Sequence, residues 1–353
     1  MDRSFYQGKR VFITGHTGFK GTWLTRMLLA AGAEVSGYAL EAETPSLFQL
    51  TGTTREMRSI IGDVRDRDAL LQAVAGTKPD IVLHLAAQPL VRLSYDRPAY
   101  TYETNVMGTV NVLEALRPHA GSIRSFVNVT TDKVYENKER RRGYTEDETL
   151  CGRDPYSNSK SCSELVTHSY RLSFFNFPDA PAIATARSGN VIGGGDFAKD
   201  RLVPDCIRAV TEGREIIIRS PDSIRPYQHV LDCLAGYLLL AQRLCERPAL
   251  AGSYNFGPDE ASCVTTRGLV EKFCKAWGPE ASWHAQDDHG PHEATFLQLN
   301  ATKAKQALGW KPLWSVDKAV AAVVDWHKEV AEGGNATAAT DRQISAYQTD
   351  ASR

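Results

Sequence analysis

Lys9–Thr14 is a short run rich in apolar and β-branched residues. It leads directly into Gly15-His16-Thr17-Gly18-Phe19-Lys20-Gly21, and helical periodicity follows over Thr22–Ala31. Three glycines between a strand and a helix permit a tight turn. Backbone N–H groups can then approach a diphosphate, with the positive end of the helix dipole behind them. A glycine-rich turn can also be mere punctuation. Here the strand before and the helix after supply the context that phosphate binding needs.

The rest of the first half repeats this rhythm. Glu34–Leu40, Ser59–Asp63, Asp80–Ala86, Ser125–Thr130 and Ile183–Ser188 read as strands. Helical segments cover Arg67–Ala75, Tyr102–Arg117 and Tyr156–Phe174. Such alternation predicts an α/β protein with a doubly wound parallel sheet. After about Asn190 the rhythm breaks at Gly193-Gly194-Gly195-Asp196. Residues 1–188 are therefore expected to form the sheet domain and 189–333 a smaller, mostly helical lobe. The segment around 226–257 is expected to return to the sheet through the Tyr237–Leu244 helix and the Tyr254–Phe256 strand. The tail, 334–353, is small and polar and is expected to be loose or to pack on a partner.

Of the 353 residues, 42 % are apolar, enough for an ordinary core, and the net charge is −1. That balance gives no electrostatic reason to expect nucleic acid or a membrane surface, so an anionic ligand must be met by placed arginines. The seven cysteines form no C-x-x-C pair, and reduced thiols in the cytoplasm are the expectation. No signal-like segment opens the chain, and apolar stretches such as Leu238–Ala241 are far too short to span a bilayer.

Tyr156-Ser157-Asn158-Ser159-Lys160 places a phenol and an ammonium four apart on one helix face. A phenol with a pKa of about 10 is a poor base at neutral pH; a nearby ammonium stabilises the phenolate and lowers it. Tyr156 could then take a hydroxyl proton while hydride leaves the same carbon. By itself Y-x-x-x-K is common surface decoration. Its place just beyond the fifth strand favours chemistry. That strand ends Val129-Thr130-Thr131-Asp132-Lys133, and strand C-terminal ends are where ligands lie in such sheets.

The G-x-x-G-x-x-G turn, Thr131, Tyr156 and Lys160 resemble the extended short-chain dehydrogenase/reductase superfamily. Longer runs are similar to the CDP-glucose 4,6-dehydratases: Gly15–Gly21, His84-Leu85-Ala86-Ala87-Gln88-Pro89-Leu90-Val91-Arg92, Thr131-Asp132-Lys133, Asp154–Lys160, Gly189–Asp196 and Arg225–Val230. The resemblance implies a Rossmann-type sheet that binds NAD through Gly15, His16, Gly18, Phe19, Gly21, Asp63, Val64, Ala86, Ala87, Tyr156 and Lys160. The second strand ends at Leu40 with neither the ribose-binding acid nor an arginine, so NAD is expected but weakly anchored. A CDP-glucose-type nucleotide sugar is implied as substrate. Gln88, Arg92, Asn190, Arg201, Arg225 and His292 would bind it. His289-Gly290-Pro291-His292-Glu293 has too few ligands for a metal, and none is expected.

The implied reaction is redox-neutral. Tyr156 takes the C4 hydroxyl proton, Thr131 binds the substrate oxygen, and Asp132 protonates the departing C6 hydroxyl. Related dTDP-glucose dehydratases carry glutamate at the position of Lys133. Lys133 is therefore either the C5 base or a charge that steadies the enolate. A nucleotide-sugar 4-epimerase would share Thr131, Tyr156 and Lys160 but has no use for Asp132-Lys133. A non-catalytic NAD-sensing scaffold would have lost Tyr156 or Lys160. Relatives imply a homodimer or homotetramer.

Overall fold

The computed structural model describes residues 2–140, 142–286 and 296–353. Alternating strands and helices run β1 (Arg10–Thr14), α1 (Phe19–Ala30), β2 (Glu34–Ala39), β3 (Arg58–Ile61), α2 (Arg67–Thr77), β4 (Ile81–His84), α3 (Gly108–Leu116), β5 (Ser125–Val129), α4 (Pro155–Ser173) and β6 (Ala182–Arg187). After an excursion, α6 (Val230–Glu246) and β9 (Gly252–Asn255) rejoin this layer. The excursion begins with α5 (Leu202–Thr211), β7 (Ile216–Ile218) and β8 (Ile224–Pro226). Beyond β9 come β10 (Cys263–Thr265), α7 (Thr266–Trp277), β11 (Trp283–Ala285), α8 (Val316–Ala331) and α9 (Ala336–Ala351).

The main sheet has seven strands in the order β9-β6-β5-β4-β1-β2-β3. All of its pairings are parallel. The order reverses between β1 and β4. A crevice therefore opens at their C-terminal ends, where this class of sheet binds ligands. Strand alternation divides the core. Val11 and Ile13 of β1 face a cluster built with α1 and α6, whereas Phe12 faces one built with α2 and α3. Both faces are covered, so the central strands read as unbroken apolar runs.

A third cluster joins α5, β7, α7 and α8 into the lobe beside the crevice. Its strands form only short ladders, β8 with β10 and β7 with β11. The helix before α3 widens into a π turn at Glu103–Met107, a device common at functional sites.

The tail is not loose: it forms α9 and packs on the chain's own core. Asn335 caps α9 by accepting from the Ala338 N–H. Ala336, Ala339, Thr340, Ile344 and Tyr347 form its buried stripe. Arg26 of α1 donates to Asp341 at 3.0 Å, and the Tyr347 hydroxyl donates to Asp232 at 2.8 Å. Small residues at helical spacing allow the close approach that a polar composition concealed.

Candidate active site

The cleft between the strand ends and the lobe has a volume of about 1730 Å³. A pocket for one small ligand usually holds ~300–1,000 Å³, so this space suits two. Its floor is the glycine turn. A Cβ on Gly15 would stand 2.7 Å from the Ala86 nitrogen, and one on Gly21 only 2.1 Å from the Gly15 oxygen. The turn is thus pressed against the end of β4, with Gly15 at φ +79° in the left-handed region that favours glycine. Gly18 begins α1 with no side-chain cap, which leaves the first-turn N–H groups for a ligand. This cradle fits a dinucleotide diphosphate.

Gly15, Gly18, Phe19, Gly21, Asp63, Val64, Ala86 and Ala87 all line the cleft. His16 does not. Its ring is fully buried, with Nε2 2.7 Å from Ser59 Oγ, and lies so close under Gly37 that a Cβ there would strike it at 2.2 Å. Burial lowers its pKa to about 4, so it is neutral. Asp63 is gripped by the Arg65 guanidinium, whose hydrogen bonds hold the carboxyl below its usual range.

Tyr156 and Lys160 both project from α4 into the cleft. Loss of solvent pushes the Tyr156 phenol up to about 12, while a hydrogen bond with Thr131 pulls it down. Lys160 Nζ donates to the Val129 carbonyl at 3.1 Å. Burial, and then the charge of Lys20, lower Lys160 from 10.5 to about 8. Thr131 caps the turn Asp132–Val134 and donates to Asp132 Oδ1 at 3.0 Å. Thr131, Asp132, Lys133, Tyr156 and Lys160 all line the cleft, with Thr131 hydrogen-bonded to both Asp132 and Tyr156.

Arg92, in the segment after β4, and Asn190, Arg201 and Arg225, beyond β6, also line the cleft. Arg201 is held by Asp196 at 3.0 Å and Arg92 stands 3.8 Å from Asp200. Gln88 turns inward instead: its amide donates to Thr101 Oγ1 and to Leu90 O, and its oxygen accepts from the Leu90 N–H. It shapes the loop that carries Arg92 rather than facing the cleft. His292, with the rest of residues 287–295, lies outside the described residues. Among the described residues, no cluster of three or more metal-binding side chains occurs.

Three features escaped sequence reasoning. Lys20 lines the cleft, donates to Ser188 Oγ at 3.3 Å and is lowered by burial. Asn105, in the π turn, receives the Gln88 N–H at 2.8 Å and donates to Ser159 Oγ at 2.9 Å. Glu164 and Arg187 form an ion pair, each side chain 2 % exposed. A signal for Glu164 existed, since it follows Tyr156 and Lys160 at the same four-residue spacing.

A parallel sheet with a phosphate turn at its switch point, a strand-end threonine and a Tyr/Lys helix defines an extended short-chain dehydrogenase/reductase. The family model described as GDP-mannose 4,6 dehydratase matches residues 12–323, and the chain belongs to that family. It is 48 % identical over 359 aligned residues to the CDP-glucose 4,6-dehydratase of Salmonella typhimurium, covering 100 % of each chain. With dTDP-glucose 4,6-dehydratase 1 of Escherichia coli it shares 25 % identity over 90 % of this chain and 92 % of that one. Among solved structures, the NAD complex of dTDP-glucose 4,6-dehydratase from Bacillus anthracis superposes with a TM-score of 0.77 at 19 % identity, covering 92 % of this chain and 98 % of that one. A UDP-glucose-4-epimerase from Stenotrophomonas maltophila gives 0.81 at 19 % identity, with 92 % and 100 % covered. Dehydratase and epimerase folds match equally well, so the fold alone does not separate them.

Proposed function

We propose that the chain is an NAD-dependent hydro-lyase that converts CDP-D-glucose to CDP-4-dehydro-6-deoxy-D-glucose. The observation that carries this reading is Asp132-Lys133 in the same cleft as Thr131, Tyr156 and Lys160, in a chain 48 % identical along its whole length to a CDP-glucose 4,6-dehydratase. An epimerase needs the last three only.

The glycine turn and the first turn of α1 would hold the cofactor diphosphate, with Ala86, Ala87 and Val64 beside it. NAD, when bound, supplies the acceptor for the C4 hydride and returns it at C6. Tyr156 takes the C4 hydroxyl proton. The Thr131 hydroxyl, and after it the Arg201 charge, pull the phenol down against burial, which stays the larger effect. Lys160, four residues further along α4, would add its charge beside the phenolate. The resulting C4 ketone acidifies C5. Asp132 then protonates the departing C6 hydroxyl, and Lys133 either takes the C5 proton or steadies the enolate while water or Tyr156 takes it. C5 is reprotonated as the hydride returns to C6. Arg92, Arg201 and Arg225 meet the nucleotide diphosphate.

We further infer that the enzyme works in the cytoplasm, that its product enters deoxysugar and lipopolysaccharide synthesis, and that it is a homodimer or homotetramer. Leu165 and Leu172 of α4 and Met107 stand 51–55 % exposed, as a helix-pair interface requires. No helix among the described residues is long and apolar enough to cross a membrane.

The test is isotopic. With CDP-glucose deuterated at C4, the label is expected at C6 of the product. Label lost to solvent, or returned to C4 alone, rules the mechanism out.

A further inference from the structure

Asp132 sits on a single tight turn beyond β5, and two of its contacts are conventional. Its N–H donates to the Ser188 carbonyl at 3.2 Å, and Oδ1 accepts from Thr131. The second carboxylate oxygen, Oδ2, is buried and has no hydrogen-bond partner among the described residues. It meets the bare Cα of Gly189 instead. An ideal Cβ on Gly189 would lie 1.8 Å from Oδ2, 2.1 Å from Cγ and 2.5 Å from Oδ1. The three nearest atoms all belong to this one carboxylate.

Backbone conformation does not explain the glycine. Gly189 is absent from the positive-φ residues, so any side chain could adopt its dihedrals. Space explains it. The neighbour that would have to yield is the buried Asp132 side chain, whose carboxylate supplies all three of those atoms, and not the sheet backbone. A methyl group at 189 would therefore redirect the carboxylate and leave the strand where it is.

We propose that Gly189 is a positioning residue for the elimination step: its missing side chain is the seat that sets the Asp132 carboxylate against the C6 hydroxyl. The proposal rests on the reading of Asp132 as the acid. Clearing a van der Waals contact from a starting gap of 2.1 Å moves the carboxyl by more than an ångström. Misplacement of that size costs roughly a hundredfold in a proton transfer.

Gly189→Ala, Asp132→Ala and the double variant test this. Two measurements are compared: the thermal midpoint of the full chain without added nucleotide, and a single turnover with CDP-glucose in deuterated water. In the turnover, the absorbance of reduced nicotinamide reports C4 oxidation and the appearance of 6-deoxy product reports elimination. Gly189→Ala should oxidise C4 at close to the wild-type rate and form product roughly a hundredfold more slowly, so that the reduced cofactor accumulates. It should lower the thermal midpoint in the wild-type background but not beside Asp132→Ala, where the clash is gone. In that background it should also leave elimination no slower than Asp132→Ala alone. Normal elimination by Gly189→Ala overturns the proposal, as do equal losses in both backgrounds. Normal elimination by Asp132→Ala overturns the reading of the acid instead, and Gly189 loses its role with it.

Discussion

Tyr156 and Lys160 stand on a helix of nineteen residues; Asp132 and Lys133 stand on a turn of three. The helix is fastened along its length. Ser161 donates to the Val134 carbonyl at 2.7 Å, and Ser163 lies 2.8 Å from Thr109 Oγ1 and 2.9 Å from Asn128 Nδ2. Glu164 gathers Arg187, Thr185 and Thr130. On the turn, one Asp132 oxygen has no partner, and the Lys133 ammonium makes no hydrogen bond or ion pair among the described residues. The contrast follows the chemistry assigned to each side. Proton and hydride departure from C4 requires two fixed distances at once. Elimination requires groups that exchange protons, and a saturated network would hold them in one state.

The largest break in this contrast should come from Glu164→Ala. Burial raises the Glu164 carboxyl, but Arg187 and two threonine hydroxyls pull it down further, so it is ionised. Removing it strands the Arg187 charge in the core, at a cost of about 3–5 kcal/mol. Denaturant unfolding measures the loss. A variant as stable as wild type would mean that Tyr135 and the Glu146 carbonyl, which Arg187 also reaches, suffice to compensate that charge.

Lys160→Met should change stability in the opposite direction. Burial and Lys20 depress the Lys160 pKa from 10.5 to about 8, so its charged form is disfavoured in the folded state. The unfolded chain binds more protons between those values, and stability rises with pH there. The penalty is complete below about pH 8 and gone above about 10.5. Methionine should therefore stabilise the fold at neutral pH by on the order of 3 kcal/mol, with oxidation lost, and the gain should vanish as pH approaches 10.5. A gain independent of pH would assign it to packing.

Lys133→Ala carries the contrast to the loose side. No stability change is expected, because no bond is lost. C4 oxidation should persist, yet elimination should fall at least roughly a hundredfold, the low end of general-base contributions. Exchange of C5 with deuterated solvent at the wild-type rate would place the base elsewhere.

What the sequence disclosed divides along the same line. The phosphate turn and the Tyr156/Lys160 pair are local spacings, and they were legible. Glu164 lies on the same helical stripe, but its partner Arg187 arrives from β6, and only sheet register brings the two together. His16 and Gln88 belong to recognisable runs; which way each side chain turns depends on Gly37 and Thr101, residues distant in sequence. The C-terminal stripe resembled a polar tail because Ala336, Ala339 and Thr340 carry little hydropathy and Ile344 and Tyr347 stand among polar neighbours, and the surface that accepts them belongs to α1 and α8. Gly189 was visible in its motif, but its reason lies in Asp132, across the sheet from β6 to β5.

The smallest effect should separate the two sides most sharply. Ser159 lies between Tyr156 and Lys160, where its hydroxyl donates to the Tyr156 carbonyl at 2.7 Å and accepts from Asn105 Nδ2. That amide also donates to the Gln88 carbonyl at 3.1 Å, so Ser159→Ala leaves Asn105 partly satisfied. The cost should be that of one ordinary hydrogen bond, about 1 kcal/mol, without the full penalty of an orphaned donor. If that energy holds Tyr156 in register with the C4 hydroxyl, oxidation should slow by about fivefold, since a factor of ten corresponds to about 1.4 kcal/mol. Asp132 and Lys133 receive nothing from Ser159. Enzyme presented directly with the 4-keto nucleotide sugar should therefore exchange C5 with deuterated water at an unchanged rate. Equal slowing of both steps would show that helix and turn move as one body, and the contrast between them would fail. Unchanged oxidation would mean that the link from Asn105 to Ser159 holds only the π turn, and that Tyr156 is kept in place by its other contacts, its N–H to Ser94 Oγ and its hydroxyl to Thr131.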